Sequence, residues 1–175
     1  MAIYYGDGSN SSSGRIIQVQ KSIYTGTVAY NSLGQGAETG IPFVCSITPK
    51  ENASKIIVMM QLCFDNSTTH SNYCTLKRQI NGQGYTEPFI GDASGNVHRV
   101  TSGQSDQRSN SLRNIGLTFF DEPTTTNQID YGFTLSHNDN NVVSIYINFG
   151  DGESNNSYDG RGTCSIVCME VAAWV

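Results

Sequence analysis

Between Arg15 and Val171 the chain alternates short runs of Ile, Val, Tyr, Phe and Thr with clusters of Gly, Asn, Asp, Ser and Pro. The apolar runs recur about every 10–15 residues with turn chemistry between them, the spacing of an all-β domain and not of βαβ units. No stretch carries the i, i+3, i+4, i+7 spacing of an amphipathic helix. Arg15–Tyr30 reads as one or two strands interrupted at Gly26, and Asn31–Gly40 as a Gly-rich loop. Phe43–Thr48 reads as a strand closed by Pro49, which cannot continue a ladder in a sheet interior. After a turn at Pro49–Ser54, the strongest apolar run of the chain, Ile56–Phe64, reads as a buried central strand. Asp65–Asn72 reads as a loop, and Tyr73–Ile80 alternates with the period of two expected of a strand.

Asn81-Gly82 predicts a type I′ hairpin turn, because both residues tolerate the positive φ that this turn demands, with Tyr85–Ile90 as the return strand. Gly91–Gly95 follows as a turn, Asn96–Thr101 as a short strand and Ser102–Asn110 as a polar loop. Leu112–Phe120, Ile129–Ser136, Val142–Phe149 and Thr163–Val171 complete the strands. They are separated by Asp121–Thr126, His137–Asn141 and the acidic loop Gly150–Gly162. About ten strands over this length suit a two-sheet jelly-roll β-sandwich. Residues 15–175 are expected to form that domain. Residues 1–14, Gly- and Ser-rich after the apolar tip Ile3-Tyr4-Tyr5, are expected to be an extended N-terminal segment that attaches to a partner.

Composition narrows the function. Charged residues make up 14% of the 175, against roughly 25% in ordinary soluble domains. With 37% apolar residues and a net charge of −5, the chain folds but offers no clustered Lys and Arg for phosphates, so nucleic acid is not an expected partner. No apolar stretch approaches the roughly 20 residues that span a bilayer as a helix, so membrane insertion is not expected. The N-terminus lacks a secretory pattern, so the Asn-X-Ser/Thr triplets at Asn10, Asn52, Asn66 and Asn155 read as chance. Cys45, Cys63, Cys74, Cys164 and Cys168 are odd in number and irregular in spacing. They read as reduced, buried thiols of a protein folded in a cytosol, without zinc spacing.

Candidate chemistry is sparse, and the chain is not expected to be an enzyme. His70, His98 and His137 fall in or beside loops with no nucleophile motif next to them, and read as solvated. Asp121-Glu122 precedes Pro123 at a turn, where Asp favours turn initiation. Gly82-Gln83-Gly84 and Gly34-Gln35-Gly36 complete no phosphate loop. The loop from Gly150 to Asp159 is dense in oxygen donors, so calcium is the one cofactor to consider, although the ordered spacing of a calcium loop is missing. Within the same loop Tyr158, Asp159 and Arg161 are candidate contacts to a receptor or a neighbour.

Three segments carry a resemblance: Ser46-Ile47-Thr48-Pro49 with Ser54-Lys55-Ile56-Ile57-Val58; Phe119-Phe120-Asp121-Glu122-Pro123 with the following Thr run and Tyr131; and Arg161-Gly162-Thr163-Cys164-Ser165-Ile166-Val167-Cys168-Met169-Glu170-Val171. In order and spacing they resemble the knob domains of phage tail fibres and related virion appendages, common among marine phages. The resemblance spans about Val44 to Val171. It implies a jelly roll similar to tumour-necrosis-factor-like folds, a homotrimer, a place on the virion after assembly in the host cytoplasm, and a role in host attachment through a surface glycan or protein. Family members usually sit on a longer shaft, so a chain with only a short leader is expected to be a stand-alone virion protein. Its Ile3, Tyr4 and Tyr5 would then contact other virion proteins. Tail fibre, head fibre and capsid decoration all fit.

The residues add an argument for self-association: Ile56–Phe64 and Ile115–Phe120 are apolar on both faces, as strands covered on two sides would be. One side would face the core and the other a three-fold axis, unless both strands are simply central in a thick core. The competing functions are a capsid-decorating or cementing protein without receptor binding and a carbohydrate-binding module.

Overall fold

The computed structural model describes residues 14–68, 70–104, 112–153 and 160–173, which contain ten strands and no helix. They are β1 (Ile16–Tyr24), β2 (Val28–Leu33), β3 (Cys45–Ile47), β4 (Lys55–Asn66), β5 (Asn72–Ile80), β6 (Ser102–Gln104), β7 (Arg113–Asp121), β8 (Ile129–His137), β9 (Val143–Ile147) and β10 (Cys164–Val171). All pairings are antiparallel.

Register shows that several strands are halves of one lane. β10 runs along Lys55–Gln61 of β4, and β9 continues on the same side along Phe64–Asn66, while β7 takes the opposite side. β1 pairs with β10 and β2 with β9, so β1 and β2 are likewise collinear across the Thr25–Thr27 break. Counting each collinear pair once leaves eight lanes. One sheet orders β1/β2, β9/β10, β4, β7, and the other orders β3, β8, β5, β6. The first lane in the chain pairs with the last, the second with the seventh, the third with the sixth and the fourth with the fifth. That nested pairing, alternating between two sheets, makes the molecule a jelly roll.

The period of two sorts side chains between core and outside. In β4, Ile56, Val58, Met60, Leu62 and Phe64 point inward and are buried. They meet Leu76, Ile129, Tyr131, Phe133 and Leu135 of the facing sheet, with Ile115, Ile145, Ile147 and Ile166 beside them. Burying a large aliphatic or aromatic side chain contributes about 1.5–3 kcal/mol, so this one cluster dominates the stability.

The sandwich is also tied by ions. Arg78 on β5 donates through Nη1 to both carboxylate oxygens of Asp121 on β7, at 2.7 and 2.9 Å. Tyr131 on β8 donates to the same carboxylate at 2.6 Å. Burial, then the Asp121 charge, push the Tyr131 phenol far above its ordinary value. Asp121 is thus the buried last residue of β7 holding the two sheets together, not an exposed turn initiator. The pattern could not show this, because its partners lie 43 and 10 residues away.

Other boundaries moved for local reasons. Asn81 and Gly82 both take positive φ, 52° and 71°, as the type I′ turn requires. The return, however, is a single bridge between Thr86 and Arg78 rather than a strand over Tyr85–Ile90. Pro88 lacks the N–H needed to extend that ladder. The strand expected at Asn96–Thr101 forms instead at Ser102–Gln104, inside the expected loop. All five cysteines are buried and free.

Candidate functional site

The strand registers place the loops. Ile16, Val171, Lys55 and Asp121 mark one end of the sandwich. There Gly14 donates to the carbonyl of Ala172 at 3.2 Å and Ala172 to that of Arg15 at 2.9 Å. At the opposite end lie Leu33, Asn66, Asn72, Arg113, His137 and Val143. Ser67, Thr68, His70, Ser71 and the segment 138–142 lie here, away from the described chain termini, and Asp151 of the excursion between β9 and β10 bonds to Asp65 beside them.

Asp139 knots the residues after β4 to those after β8. Its Oδ2 accepts from Thr68 Oγ1 at 2.5 Å and lies 3.0 Å from His70 Nδ1. Its Oδ1 accepts from Asn141 N and Nδ2 at 2.9 and 3.0 Å. The Thr68 hydroxyl, then the Asn141 amide, hold the Asp139 carboxyl down at about 2. Thr68, His70 and Asp139 bring together the residue types of a hydrolytic triad. The Thr68 hydroxyl lies 3.0 Å from His70 Nδ1 and donates to Asp139 Oδ2, so all three side chains are in mutual contact. The arrangement orders a loop.

His137 corrects the expectation of three solvated histidines. It ends β8 fully buried, with Nε2 3.0 Å from the Leu33 carbonyl and Nδ1 accepting from Asp139 N at 3.2 Å. Both ring nitrogens are thus engaged by backbone groups. His70, with about half its side chain exposed, and the exposed His98 lie in loops as expected.

The excursion between β9 and β10 leaves the sheet in mid-lane and is closed at a neck built on Asn148. This residue is fully buried with φ of 66°, a left-handed conformation that Asn accepts more readily than most side chains. Its N–H donates to the Cys63 carbonyl at 3.0 Å, and its carbonyl accepts from Gly162 N at 3.0 Å. Nδ2 donates to the carbonyls of Tyr24 and Gly26, both at 2.8 Å, and Oδ1 accepts from the Cys164 thiol at 3.1 Å. Asn148 therefore fills the gaps in both broken lanes. Opposite it, a Cβ on Gly162 would lie 2.1 Å from Cys63 Sγ, so only glycine fits.

Beneath the loop, Asp151 N donates to Asp65 Oδ2 at 2.8 Å, and buried Arg113 donates through Nη1 to Asp65 Oδ1 at 2.9 Å. Burial raises the Asp65 carboxyl despite the amides and guanidinium that favour its charge. Of the contacts expected from sequence, Arg161 stands at the neck, its side chain 66% exposed and paired with Glu153 at 2.7 Å. Tyr158 and Asp159 lie outside the described residues, as do Ile3, Tyr4 and Tyr5. Among the described residues no three His, Cys, Asp or Glu side chains converge as metal ligands.

A second surface is legible in the strand register. On the outer face of the β1/β10/β4/β7 sheet, Val19, Met169, Ile57 and Phe120 stand directly opposite one another in one row across four strands. Val19 is 53% exposed and Phe120 63%. The next rows add Val167 and Met59, then Ile23, with Lys21, Thr118, Ser165, Gln61 and Gly116 between them. A shallow groove floored by Gly116 and lined by Met59, Gln61, Asn114 and Ser165 runs through this face. The apolar doubling of Ile56–Phe64 signalled the surface. Asp139 and Asn148 carried no signal beyond their place in polar or apolar runs.

No family model and no curated protein matches the chain. Among solved structures it is similar to one described as the structure of infectious bursal disease virus Gx strain, at 14% identity and a TM-score of 0.46. That likeness covers 99% of this chain and 43% of the other, so this chain spans less than half of that protein's length. It is also similar to Eiger TNF from S. frugiperda, at 9% identity and a TM-score of 0.33, covering 82% of this chain and 99% of that one. Among the described residues no helix is long and apolar enough to cross a membrane. The jelly roll rests on the chain's own nested strand pairing.

Proposed function

We propose that this protein is a structural component of a virion, a homotrimeric knob of a phage appendage that presents its loop end to the host surface and carries no catalytic site. The observation that carries the reading is the bare apolar row Val19–Met169–Ile57–Phe120 on an otherwise well-formed sandwich. A monomer gains nothing from a four-strand apolar row in water, whereas burying it between copies recovers the hydrophobic term. The face suits a second copy of itself because it is nearly uncharged. Among the described residues of these rows Lys21 is the one charge outside the Lys55–Glu122 pair, so few like charges oppose association. With the described termini at one end and the Asp139 loop at the other, such a trimer attaches by its base and displays polar loops. Polar loops of this kind suit a wet glycan or protein contact.

Light scattering of the purified chain tests the core of this reading. A particle of three times 19.0 kDa is expected, and it should fall to the single-chain mass in the double variant Val19→Lys, Phe120→Lys with its β-sheet circular dichroism intact. A wild-type protein that stays monomeric at micromolar concentration removes the trimer. Host recognition is read separately: the trimer should bind host cells and block adsorption. Binding to empty particles without binding to cells would instead establish the capsid-decorating role.

A further inference from the structure

Two of the buried thiols face each other across the core at the edge where the sheets come closest. Cys45 is the first residue of β3 and lies opposite Tyr131 of β8. Cys168 belongs to β10 in the other sheet, in the inward row with Gln20, Val58 and Phe119. They are 2% and 0% exposed. Stacked sheets usually stand roughly 10 Å apart, yet β3 and β10 bring Cα atoms within 8 Å of one another. Each thiol is the strongest perturbation of the other, as expected of neighbouring sulfurs. Disulfides form where Cα atoms are roughly 4.4–6.8 Å apart, which such a pinched edge can reach without moving a sheet.

We propose that Cys45 and Cys168 form a latent inter-sheet disulfide, closed by a small-molecule disulfide once the folded protein leaves a reducing compartment.

The two sulfurs take different roles. Cys45 lies on the short edge strand β3 and is the sulfur that an external disulfide meets first, so it attacks. Its thiolate displaces one thiolate from the external disulfide and forms a mixed disulfide. Cys168 then gives up its proton and attacks the Cys45 sulfur, releasing the second thiolate. Two protein thiols and one external disulfide become one protein disulfide and two external thiols, with no other oxidant needed. Access comes from β3 itself. It has three residues, lies at the edge of its sheet and pairs with β8 alone, so it opens locally at a lower cost than the strands beneath it. Of the other thiols, Cys63 faces outward under Gly162, and Cys164, which lies near Cys74, is already held by Asn148 and the Cys63 backbone.

The closed loop spans most of the chain, so the staple should raise the melting temperature by about 10 °C. The folded protein is incubated with oxidised glutathione and read by intact mass, by peptide mapping without reduction and by thermal melting. The expected result is a loss of two hydrogens, a cross-linked peptide pair containing Cys45 and Cys168, three remaining alkylatable thiols, and a higher melting temperature that dithiothreitol reverses. Cys168→Ala should leave a glutathione adduct on Cys45 with no rise in melting temperature. Five free thiols after prolonged oxidation, a persistent adduct on wild-type Cys45, or a cross-link to any other cysteine overturns the proposal. The mapping uses wild-type protein, so the outcome stands even if a variant does not fold.

Discussion

The outward faces of the two sheets are built on the same backbone pattern and end in opposite states. On the β3/β8/β5/β6 sheet, the chain covers its own outer surface. The segment after β2 runs along the free edge of β8, with Gly36 N bonded to His137 O at 2.9 Å and Thr39 N to Leu135 O at 2.8 Å, and folds Ile41 and Val44 over Gly132. Lys77, directly opposite Gly132, is buried between Glu38, at 2.6 Å, and Glu87. Thr75, Thr134 and Ser136 on this face are also buried. On the other sheet the equivalent face is apolar, and among the described residues its Val19, Ile23, Met59 and Phe120 stay exposed. Self-coverage of the polar face beside an open apolar one is the arrangement that the proposed self-association requires. An apolar outer row is therefore informative only when the opposite outer face shows what self-coverage looks like.

Glycine gives the sharpest way to break this contrast. A Cβ at Gly132 would lie 2.7 Å from Ile41 Cγ2 and 3.2 Å from Val44 Cγ1. Gly132→Val should destabilise the chain by about 2–3 kcal/mol through overpacking, read as a lower urea midpoint. Next in size, Lys77→Ala removes a buried stem and leaves two carboxylates that are themselves more than a third exposed, so about 1–2 kcal/mol is expected after allowing for solvent screening.

That loss carries a pH signature. Burial alone would lower the Lys77 ammonium, but bonds to Glu38 and Glu87 outweigh it and raise the group above 10.5. A folded value above the unfolded one means the stabilisation is complete below pH 10.5 and disappears as pH rises through the raised value. The wild-type and Lys77→Ala urea midpoints should therefore differ more at pH 8 than in strong alkali, where only the packing of the stem separates them.

The smallest effect on the folded chain is expected at Gly116, the counterpart of Gly132 on the bare face, where an added Cβ meets nothing within 4 Å. Gly116→Val should shift the stability of a single chain by no more than about 0.5 kcal/mol while lowering the mass measured by light scattering. An unchanged mass would place the association surface elsewhere.

Much of this architecture was legible from alternation and turn residues alone. The β class, the two-layer sandwich, the Asn81-Gly82 turn and the buried thiols follow from local chemistry that neighbouring residues settle between themselves. The edges of that reading failed where a distant partner decided. Ser102–Gln104 is a strand because β5 offers it an edge, not because its residues favour one. Asp121 resembled a turn residue until Arg78 and Tyr131 were brought to it. The end loops were visible as polar runs, but Asp139 and Asn148 are distinguished by contacts to residues 71 and up to 124 positions away.

By itself the sequence determined which residues alternate, where the chain turns and that its apolar content fills two layers, because those depend on side-chain period and backbone preference over a few residues. Tertiary structure alone decided which of the two outer faces is covered, which polar residues are buried in pairs and which two of five cysteines meet. Those depend on how lanes from opposite ends of the chain nest, and nothing local encodes the identity of a neighbour more than a hundred residues away.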